Sequence, residues 1–286
     1  MNGVPRRRVL LTGANGMLAR ALLENAPSTM QIFARTRVEL DITRAEAIDR
    51  ELDRVQPDVI LNASGYTAVD RAESDGDAAD RVNGVAPGLL GAAAARISAK
   101  VVHFSTDHVF DGTSATPYPE DARVTPVNAY GRSKLRGEQS LRDSGARHLI
   151  LRTQWLFGDF GRSFPDGMWR RARSRTPTRV VDDQTGAPTF TGDLARATWS
   201  LLDEDGVIHV ASEGAATWYD VARRIFAATD ALALLTPCRT GEYSVAARRP
   251  ANAVLDTTRL HSLGISLPPW TDAIDRFIAR RIAGES

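Results

Sequence analysis

Tyr130 and Lys134 form the pair in this sequence that is best suited to acid catalysis. They lie four positions apart in the segment NAYGRSK, and on a helix this spacing places both side chains on one face. A ketone that receives hydride at its carbon needs a proton donor beside its oxygen, and free tyrosine, with a pKa of about 10, is too weak an acid at neutral pH. A cation about 4 Å from the phenol would stabilise the phenolate by about 4 kcal/mol. We therefore expect Lys134 to bring the pKa of Tyr130 close to neutrality.

The scarcity of lysine strengthens this interpretation of Lys134. Lysine and arginine together number 36, yet lysine occurs only at Lys100 and Lys134. The chain uses arginine wherever a general positive charge is enough, so a retained lysine indicates a role that arginine cannot fill. The alternative is a tyrosine and a lysine that simply pack together on the surface.

A hydroxyl pair at Ser105 and Thr106 ends the apolar segment KVVHFST. A hydroxyl at the carboxyl end of a parallel strand can hydrogen-bond a substrate carbonyl, because ligands bind at that edge of such sheets. The same two side chains could instead cap the loop that follows, and the residues alone leave both possibilities open.

A glycine turn follows the first apolar segment, in residues 12–19 (TGANGMLA). Glycine lets the backbone approach a pyrophosphate, and a helix N-terminus supplies unpaired N–H groups. Gly13 and Gly16 are spaced more widely than in GxGxxG, and Ala19 occupies the third small position. The turn predicts nucleotide binding, with an ordinary strand–turn–helix as the alternative. Beyond the second strand the sequence has Arg35 and Arg37 where a ribose-binding carboxylate is expected, which favours NADP over NAD unless these arginines only decorate the surface.

Apolar segments alternate with helical patterns along the first half of the chain, which predicts a doubly wound parallel α/β sheet of the Rossmann type. The predicted strands are residues 8–12, 31–34, 58–63, 100–105 and 148–152, and the predicted helices are 17–24, 45–55, 78–98 and 130–141. Asp41 and Thr43 are candidate N-caps for the second helix. We expect residues 1–160 to form a dinucleotide-binding domain and residues 161–286 an interleaved, proline-punctuated substrate-binding part. Residues 206–211 could return to the sheet as one more strand.

The composition is that of an ordinary globular protein, with 43% hydrophobic and 25% charged residues and a formal net charge of +1. That charge gives no electrostatic reason to expect nucleic acid or a membrane surface as a partner. Cys238 is the only cysteine, so no internal disulfide can form. The apolar run before Thr12 covers only residues 9–11, which is too short for a signal peptide, and we expect a cytoplasmic protein.

The sequence resembles the extended short-chain dehydrogenase/reductase superfamily and, more closely, the dTDP-4-dehydrorhamnose reductase family. The similarity runs nearly from end to end. Its most specific parts are VVDDQTGAPTF, from residue 180, and RRPANAVLD, from residue 248. The other matching segments are TGANGMLA, ELDIT, PDVILNASGYTAVDRAE, STDHVFDG, NAYGRSKLRGE and LRTQWLFG.

The resemblance implies reduction of the C4 keto group of a dTDP-linked 6-deoxyhexulose, dTDP-4-dehydro-L-rhamnose in the first instance, by NADPH, with NADH possible. It implies Tyr130 as the proton donor, Lys134 as the residue that lowers the pKa of the phenol, and Thr106 as the group that polarises the carbonyl. It implies that Thr106, Asp107 and Trp155 contact the nucleotide-sugar substrate. The implied cofactor-binding residues are Gly13, Asn15, Gly16, Met17, Leu18, Asp41, Ile42, Ala63, Ser64, Gly65, Tyr66, Tyr130 and Lys134, and the charge argument for a 2′-phosphate adds Arg37.

The sequence departs from the family pattern at several positions. His108 stands where the family commonly has tyrosine, and it is either a second acid or a loop histidine. Some members bind magnesium between subunits through glutamates that correspond here to Ala21 and Gly192, so we expect no metal and leave a homodimer possible. A diphosphate needs positive groups, for which Arg249 and the arginines between Arg162 and Arg179 are candidates, although a solvated helix face explains most of that cluster equally well.

Two alternatives to this function remain. The enzyme could be a 4-keto-reductase for another dTDP-deoxysugar, such as a streptose-like or antibiotic sugar. The chain could also be a non-catalytic regulatory subunit that binds a nucleotide. The presence of Tyr130, Lys134 and Thr106 together argues against the second alternative.

Overall fold

The computed structural model describes residues 6–284. Its strands, in chain order, are β1 (Arg7–Thr12), β2 (Met30–Arg35), β3 (Val59–Asn62), β4 (Lys100–Thr106), β5 (His148–Thr153), β6 (Leu156–Phe157), β7 (Thr178–Val181), β8 (Thr185–Gly186), β9 (Thr189–Phe190), β10 (Gly206–His209), β11 (Ala216–Thr217) and β12 (Leu235–Cys238). Its α-helices are α1 (Met17–Glu24), α2 (Ala45–Val55), α3 (Gly76–Ala79), α4 (Ala86–Arg96), α5 (Ala129–Asp143), α6 (Phe164–Arg173), α7 (Thr191–Ser200), α8 (Trp218–Ala227), α9 (Thr258–Ser262) and α10 (Trp270–Gly284).

A six-stranded parallel sheet in the order β10–β5–β4–β3–β1–β2 forms the centre of the molecule. The middle strands β3 and β4 are buried along their length, as expected when helices cover both faces of a parallel sheet. Two core clusters, one on each face, join the strands to these helices. The predicted doubly wound Rossmann-type fold is confirmed.

The strand order places a topological switch point between β1 and β3. The chain leaves β1 towards β2 on one side and then returns to add β3, β4 and β5 on the other. Crossovers on opposite faces leave a crevice at the carboxyl ends of the two central strands, where ligands bind in such folds. The glycine turn follows β1, and residues 63–66 follow β3.

The helix predicted over residues 78–98 is confirmed as one continuous helical segment over residues 76–96, but its middle is π-helical rather than α-helical. The structure has α3, then a π-helical turn over Asp80–Val85, and then α4. Pro87 has no N–H to donate to the carbonyl of Asn83, four residues earlier, so a regular α-helix cannot pass this point without losing that bond. Gly137 of α5 packs directly on the same carbonyl, since a Cβ there would lie 1.9 Å from Asn83 O.

The prediction of Asp41 or Thr43 as the N-cap of α2 is wrong. The N-cap is Arg44, without a side-chain cap. Asp41 Oδ1 instead accepts hydrogen bonds from Thr43 N–H (3.0 Å) and Thr43 Oγ1 (2.7 Å). This local turn satisfies the carboxylate before the helix begins.

A separate apolar cluster packs α6, α8 and α10 together, away from the central sheet. Its large buried members include Phe157, Trp169, Phe226 and Phe277. β10, from the second half of the chain, forms the edge of the central sheet beside β5. The division of the chain at residue 160 stays a prediction. No helix within residues 6–284 is long and apolar enough to cross a membrane.

A buried ion pair joins α5 to the central sheet. Glu138 is fully buried and accepts hydrogen bonds from Arg152 Nε (2.9 Å) and Nη2 (2.8 Å). Burial alone would raise the pKa of Glu138, but the hydrogen bond and the charge of Arg152 outweigh it and hold that pKa below its ordinary value. Removing one partner would leave the other charge buried without compensation.

We predict that Glu138→Gln lowers the free energy of unfolding at neutral pH by about 3–5 kcal/mol, measured by urea denaturation. The depressed pKa means that the ion pair stabilises the fold above the unfolded-state pKa of about 4.3 and that this contribution disappears as the pH falls through the folded-state pKa. Glu138→Leu combined with Arg152→Met is the matched control and should recover most of the loss. A Glu138→Gln variant as stable as the wild type would contradict this account.

Candidate active site

The end of β4 carries three consecutive buried polar side chains, Ser105, Thr106 and Asp107. Ser105 Oγ donates to Glu138 Oε1 and is therefore committed to the ion pair. Thr106 Oγ1 donates to Asp107 Oδ1 (2.8 Å) and accepts from His108 N–H (3.2 Å). The structure thus separates the hydroxyl pair of the sequence: Ser105 supports α5, and Thr106 faces Tyr130.

Tyr130 lies in the first turn of α5, which is held against the end of β4. Asn128 caps the helix by accepting a hydrogen bond from Gly131 N–H (2.8 Å), and Gly131 packs so closely on His108 that a Cβ would lie 2.2 Å from its carbonyl oxygen. Burial raises the pKa of Tyr130 to about 12; a hydrogen bond with Thr106 acts against this rise, and the charge of Asp107 adds to it. The phenol therefore keeps its proton at neutral pH.

The expectation that Lys134 brings the pKa of Tyr130 close to neutrality is wrong for this structure. Lys134 shares the buried face of α5, but its Nζ donates to Phe104 O and lies 3.3 Å from His103 Nε2. Burial lowers the pKa of Lys134 itself to about 8, against the charge of Glu138, which raises it. The amine is thus directed at β4, and burial raises the phenol pKa instead.

His108 lies beside Tyr130 rather than in a remote loop. Its ring makes an edge-to-face contact with the phenol ring, with 5.4 Å between the ring centroids. Its Nδ1 lies 2.9 Å from Asn128 Nδ2, and burial lowers its pKa below the ordinary value. The histidine is therefore neutral and helps to fix the position of Tyr130.

The glycine turn has the geometry that close approach to a phosphate requires. Gly13 has φ +70°, and a Cβ there would lie 2.9 Å from both Ala63 O and Ser64 N. Gly16 is the N-cap of α1 and has no side chain to satisfy the first-turn N–H groups, which begin at Met17. Such a terminus is suited to bind an anion. Asn15 is exposed at this turn, and Leu18 is buried in the core below it.

Residues 63–66 are held beside the turn by the π-helical segment. Asn83 Oδ1 accepts from Tyr66 N–H (2.8 Å), and Asn83 Nδ2 donates to Tyr66 O (2.9 Å) and to Ser133 Oγ (3.0 Å). Gly65 lies against the same amide, since its Cβ would be 3.5 Å from Asn83 Oδ1. The sequence analysis missed Asn83, and Pro87 inside a helical pattern was the signal that could have drawn attention to it.

The two arginines after β2 differ in availability. Arg35 Nε lies 2.7 Å from Glu51 Oε1 in an ion pair that is largely buried. Arg37 is exposed and has no ion pair within residues 6–284. Asp41 is engaged by Thr43, and Ile42 is buried against α2. Arg37 is therefore the arginine that remains available for a negatively charged ligand.

Trp155 follows β5 in a strained conformation, with φ +47°. Its ring stacks on Trp218 with centroids 3.5 Å apart, and a Cβ on Gly186 would lie 2.5 Å from the Trp155 ring. Just before it, both amide atoms of buried Gln154 lack hydrogen-bond partners among the described residues, as does Thr153 Oγ1. Orphaned buried polar atoms at this edge fit a site that a polar ligand completes.

Arg249 and several arginines between Arg162 and Arg179 already have partners. Arg249 lies 2.7 Å from Asp70 Oδ2, Arg170 pairs with Asp166, Arg179 pairs with Glu242, and Arg175 donates to Asp230 O. Ala21 and Gly192, at the positions of the metal-binding glutamates, have no ligating side chains, and no group of three or more His, Cys, Asp or Glu within residues 6–284 could hold a metal ion.

The family model described as the RmlD substrate binding domain matches residues 7–282. A dTDP-4-dehydrorhamnose reductase of Burkholderia thailandensis is 40% identical over 93% of this chain and 96% of the relative. The chain belongs to the dTDP-4-dehydrorhamnose reductase family. As a member of this family it is an oxidoreductase, as the sequence analysis predicted.

Two further similarities extend over nearly the whole chain. A dTDP-4-keto-6-deoxy-D-glucose reductase of Streptomyces niveus is 39% identical over 98% of this chain and 99% of the relative. The crystal structure of a dTDP-4-dehydrorhamnose reductase of Bacillus anthracis in complex with NADP superposes with a TM-score of 0.93, at 32% identity, over 96% of this chain and 99% of that chain.

We predict that Gly13→Ala raises the Kd for NADPH at least about tenfold. Gly13 has a positive φ that alanine disfavours, and the added methyl would also have to displace the backbone at residues 63–64. Fluorescence titration of NADPH measures this. Gly241→Ala is the matched control, because a Cβ there has nothing within 4 Å, and its Kd should be unchanged. Equal affinities for the two variants would exclude contact between the turn and the nucleotide.

Proposed function

We propose that the protein reduces the C4 keto group of a dTDP-linked 6-deoxyhexulose, namely dTDP-4-dehydro-L-rhamnose to dTDP-L-rhamnose, with NADPH. The observation that carries the proposal is the convergence of Thr106, Tyr130 and Lys134 at the carboxyl edge of β4, beside the crevice between β1 and β3. A proton donor, a carbonyl-polarising hydroxyl and a buried amine are the groups that ketone reduction needs from a protein.

The described residues fit a nicotinamide dinucleotide in that crevice. The Gly13–Gly16 turn and the N-terminus of α1 would hold the pyrophosphate, residues 63–66 would line the opposite wall, and Arg37 would contact the 2′-phosphate. When bound, the reduced nicotinamide supplies the hydride. The unpaired polar atoms of Thr153 and Gln154 would face the bound molecules at the same edge.

Tyr130 would hold the proton for the carbonyl oxygen at its Oη. Its pKa of about 12 keeps the phenol protonated across the neutral range. The Thr106 hydroxyl would hydrogen-bond the same carbonyl oxygen of the substrate. As negative charge develops on the substrate oxygen, a donor already in hydrogen-bond contact stabilises it. After Tyr130 has given up its proton, Lys134, with a pKa of about 8, would supply a proton to the phenolate more readily than an ordinary lysine.

The substrate would lie between the two halves of the chain, with residues 1–160 binding the cofactor and residues 161–286 supplying much of the sugar site. Asp107, whose Oδ2 has no hydrogen-bond partner among residues 6–284, could accept from a sugar hydroxyl. Trp155 would give the sugar ring an apolar wall. The homodimer and the cytoplasmic location stay predictions.

A second substrate is favoured by the Streptomyces niveus relative. That protein is named a dTDP-4-keto-6-deoxy-D-glucose reductase and matches this chain as fully as the rhamnose-type relatives do. Both substrates carry a C4 ketone on a dTDP-linked sugar, so the same Tyr130 and Thr106 would serve either. Sugar stereochemistry is then decided by the shape of the pocket around Trp155.

The experiment that tests the proposal is NADPH oxidation, followed by absorbance, with dTDP-4-dehydro-L-rhamnose and dTDP-4-keto-6-deoxy-D-glucose in parallel, and NMR of each product. We expect turnover of the first to dTDP-L-rhamnose. Turnover of only the second would move the function to another deoxysugar. Cofactor binding without turnover of either would overturn the proposed reaction while leaving the fold and the cofactor site in place.

We predict that Tyr130→Phe lowers kcat by about 10²–10⁴-fold, because it removes the proton donor, while the Kd for NADPH changes little. Steady-state kinetics and a cofactor titration measure the two effects. Tyr243→Phe is the matched control because Tyr243 is exposed, and its kcat should be unchanged. Undiminished turnover by Tyr130→Phe would remove this residue as the acid.

We predict that Arg37→Ala narrows the NADPH-to-NADH ratio of kcat/KM by about tenfold or more, because it deletes a charge-assisted contact to the 2′-phosphate. Arg50 is also exposed and lies on α2. Arg50→Ala should leave the ratio unchanged and controls for net charge. An unaltered ratio in Arg37→Ala would show that the 2′-phosphate binds elsewhere.

A further inference from the structure

A row of buried polar side chains crosses the central sheet and ends at Lys134. Thr12 of β1 pairs in register with Asn62 of β3, and Asn62 pairs with His103 of β4. Thr12 Oγ1 donates to Asn62 Oδ1 (2.9 Å), and Asn62 Nδ2 lies 3.1 Å from His103 Nδ1. His103 Nε2 then lies 3.3 Å from Lys134 Nζ. The row runs from the glycine turn to the candidate catalytic amine.

Hydrogen bonds at one end of the row fix the orientation of the Asn62 amide. Ser64 N–H is a donor only and lies 3.3 Å from the same Asn62 Oδ1 that accepts from Thr12. Since Oδ1 accepts both bonds, Nδ2 must face His103 and donate to Nδ1. Nδ1 therefore carries no proton.

The tautomer of His103 follows from that orientation. The ring is fully buried, and burial holds its pKa well below the ordinary value, so the imidazole is neutral. A neutral imidazole carries one proton, and with Nδ1 occupied as an acceptor that proton lies on Nε2. The N–H of Nε2 is thus directed at Lys134 Nζ.

An N–H donor directed at Nζ discriminates between the two forms of Lys134. An ammonium group has three donors and no acceptor, so it cannot accept this hydrogen bond. A neutral amine can accept from His103 Nε2 while donating to Phe104 O, and both contacts are then satisfied. A hydrogen bond to the neutral form of a group disfavours its charged form.

We propose that His103 is a positioning residue for Lys134: the Thr12–Asn62 row fixes its Nε2–H, which holds Nζ against the Phe104 carbonyl and favours the neutral amine. The catalytic role of this arrangement rests on the proposed function, but the contact between His103 Nε2 and Lys134 Nζ does not. The ligand-free amine would be poised to take up and pass on a proton beside Tyr130.

The other groups that face Lys134 do not account for the same effect. Glu138, one turn further along α5, raises the pKa of Lys134, but its carboxylate is occupied by Arg152, Arg142 and Ser105. Tyr130, on the same helix, is a neutral phenol. On β4, His103 and the Phe104 carbonyl contact Lys134. Asp107 and His108 lie beyond the end of the strand and are directed at Thr106 and Asn128.

The scarcity of lysine makes a direct test practical. With lysine labelled at ¹³Cε, the full chain gives only two side-chain signals, from Lys100 and Lys134, and Lys100→Arg assigns them. We expect Lys134 in the wild type to titrate near pH 8 and in His103→Phe about one pH unit higher. His148→Phe, on β5 with its ring bonded to Ala146 O, is the matched control and should leave the Lys134 midpoint unchanged.

The tautomer of His103 provides a second readout that needs no variant. ¹⁵N shifts of the His103 ring should report a proton on Nε2 and none on Nδ1. If His103→Phe does not fold, this measurement decides alone, and Nδ1 protonation would overturn the proposal. An unchanged Lys134 midpoint in a folded His103→Phe would overturn it as well. Neither readout uses the sugar or NADPH, so failure of the proposed reaction and failure of this inference are distinguishable.

Discussion

The close approach of α5 to the end of β4 and to the π-helical turn is the contact on which the site depends. At Gly131 and Gly137 the helix backbone lies so near the carbonyls of His108 and Asn83 that a single methyl would meet them at 2.2 and 1.9 Å. Glycine at both positions lets Tyr130 reach Thr106, and it lets Lys134 reach across to β4. The buried Glu138–Arg152 pair, next to Gly137 in the sequence, holds the same helix against β5.

This packing also sets the chemistry of the groups that it brings together. Because α5 packs against the end of β4, Tyr130 and Lys134 lose solvent, which raises the pKa of the phenol and lowers that of the amine. Both lysines of the chain are buried, Lys134 here and Lys100 beside Asp205, whereas many arginines lie in exposed ion pairs. The distribution agrees with the inference that lysine is retained where a compact, titratable group is needed.

The sequence was sufficient to predict the parallel sheet, the glycine turn and the shared face of Tyr130 and Lys134, because these follow from local periodicity and spacing. It did not reveal what Lys134 Nζ contacts. An i, i+4 spacing fixes the face of a helix but not the direction of a four-carbon side chain, which here turns to Phe104 and His103. The roles of Asn62, Asn83 and Glu138 depend on partners from other strands and helices, and no pattern within a window of ten or twenty residues contains them. The π turn was missed because alanine-rich periodicity outweighed the single signal of Pro87.

The most direct test of the central claim is a crystal structure of the protein with NADP and dTDP-L-rhamnose, read for the distance between Tyr130 Oη and the C4 oxygen of the sugar. The account predicts a hydrogen bond of about 2.6–3.2 Å, with Thr106 Oγ1 on the same oxygen. A complex in which another acid, such as Asp107 or His108, contacts that oxygen and Tyr130 lies beyond hydrogen-bond reach would contradict it.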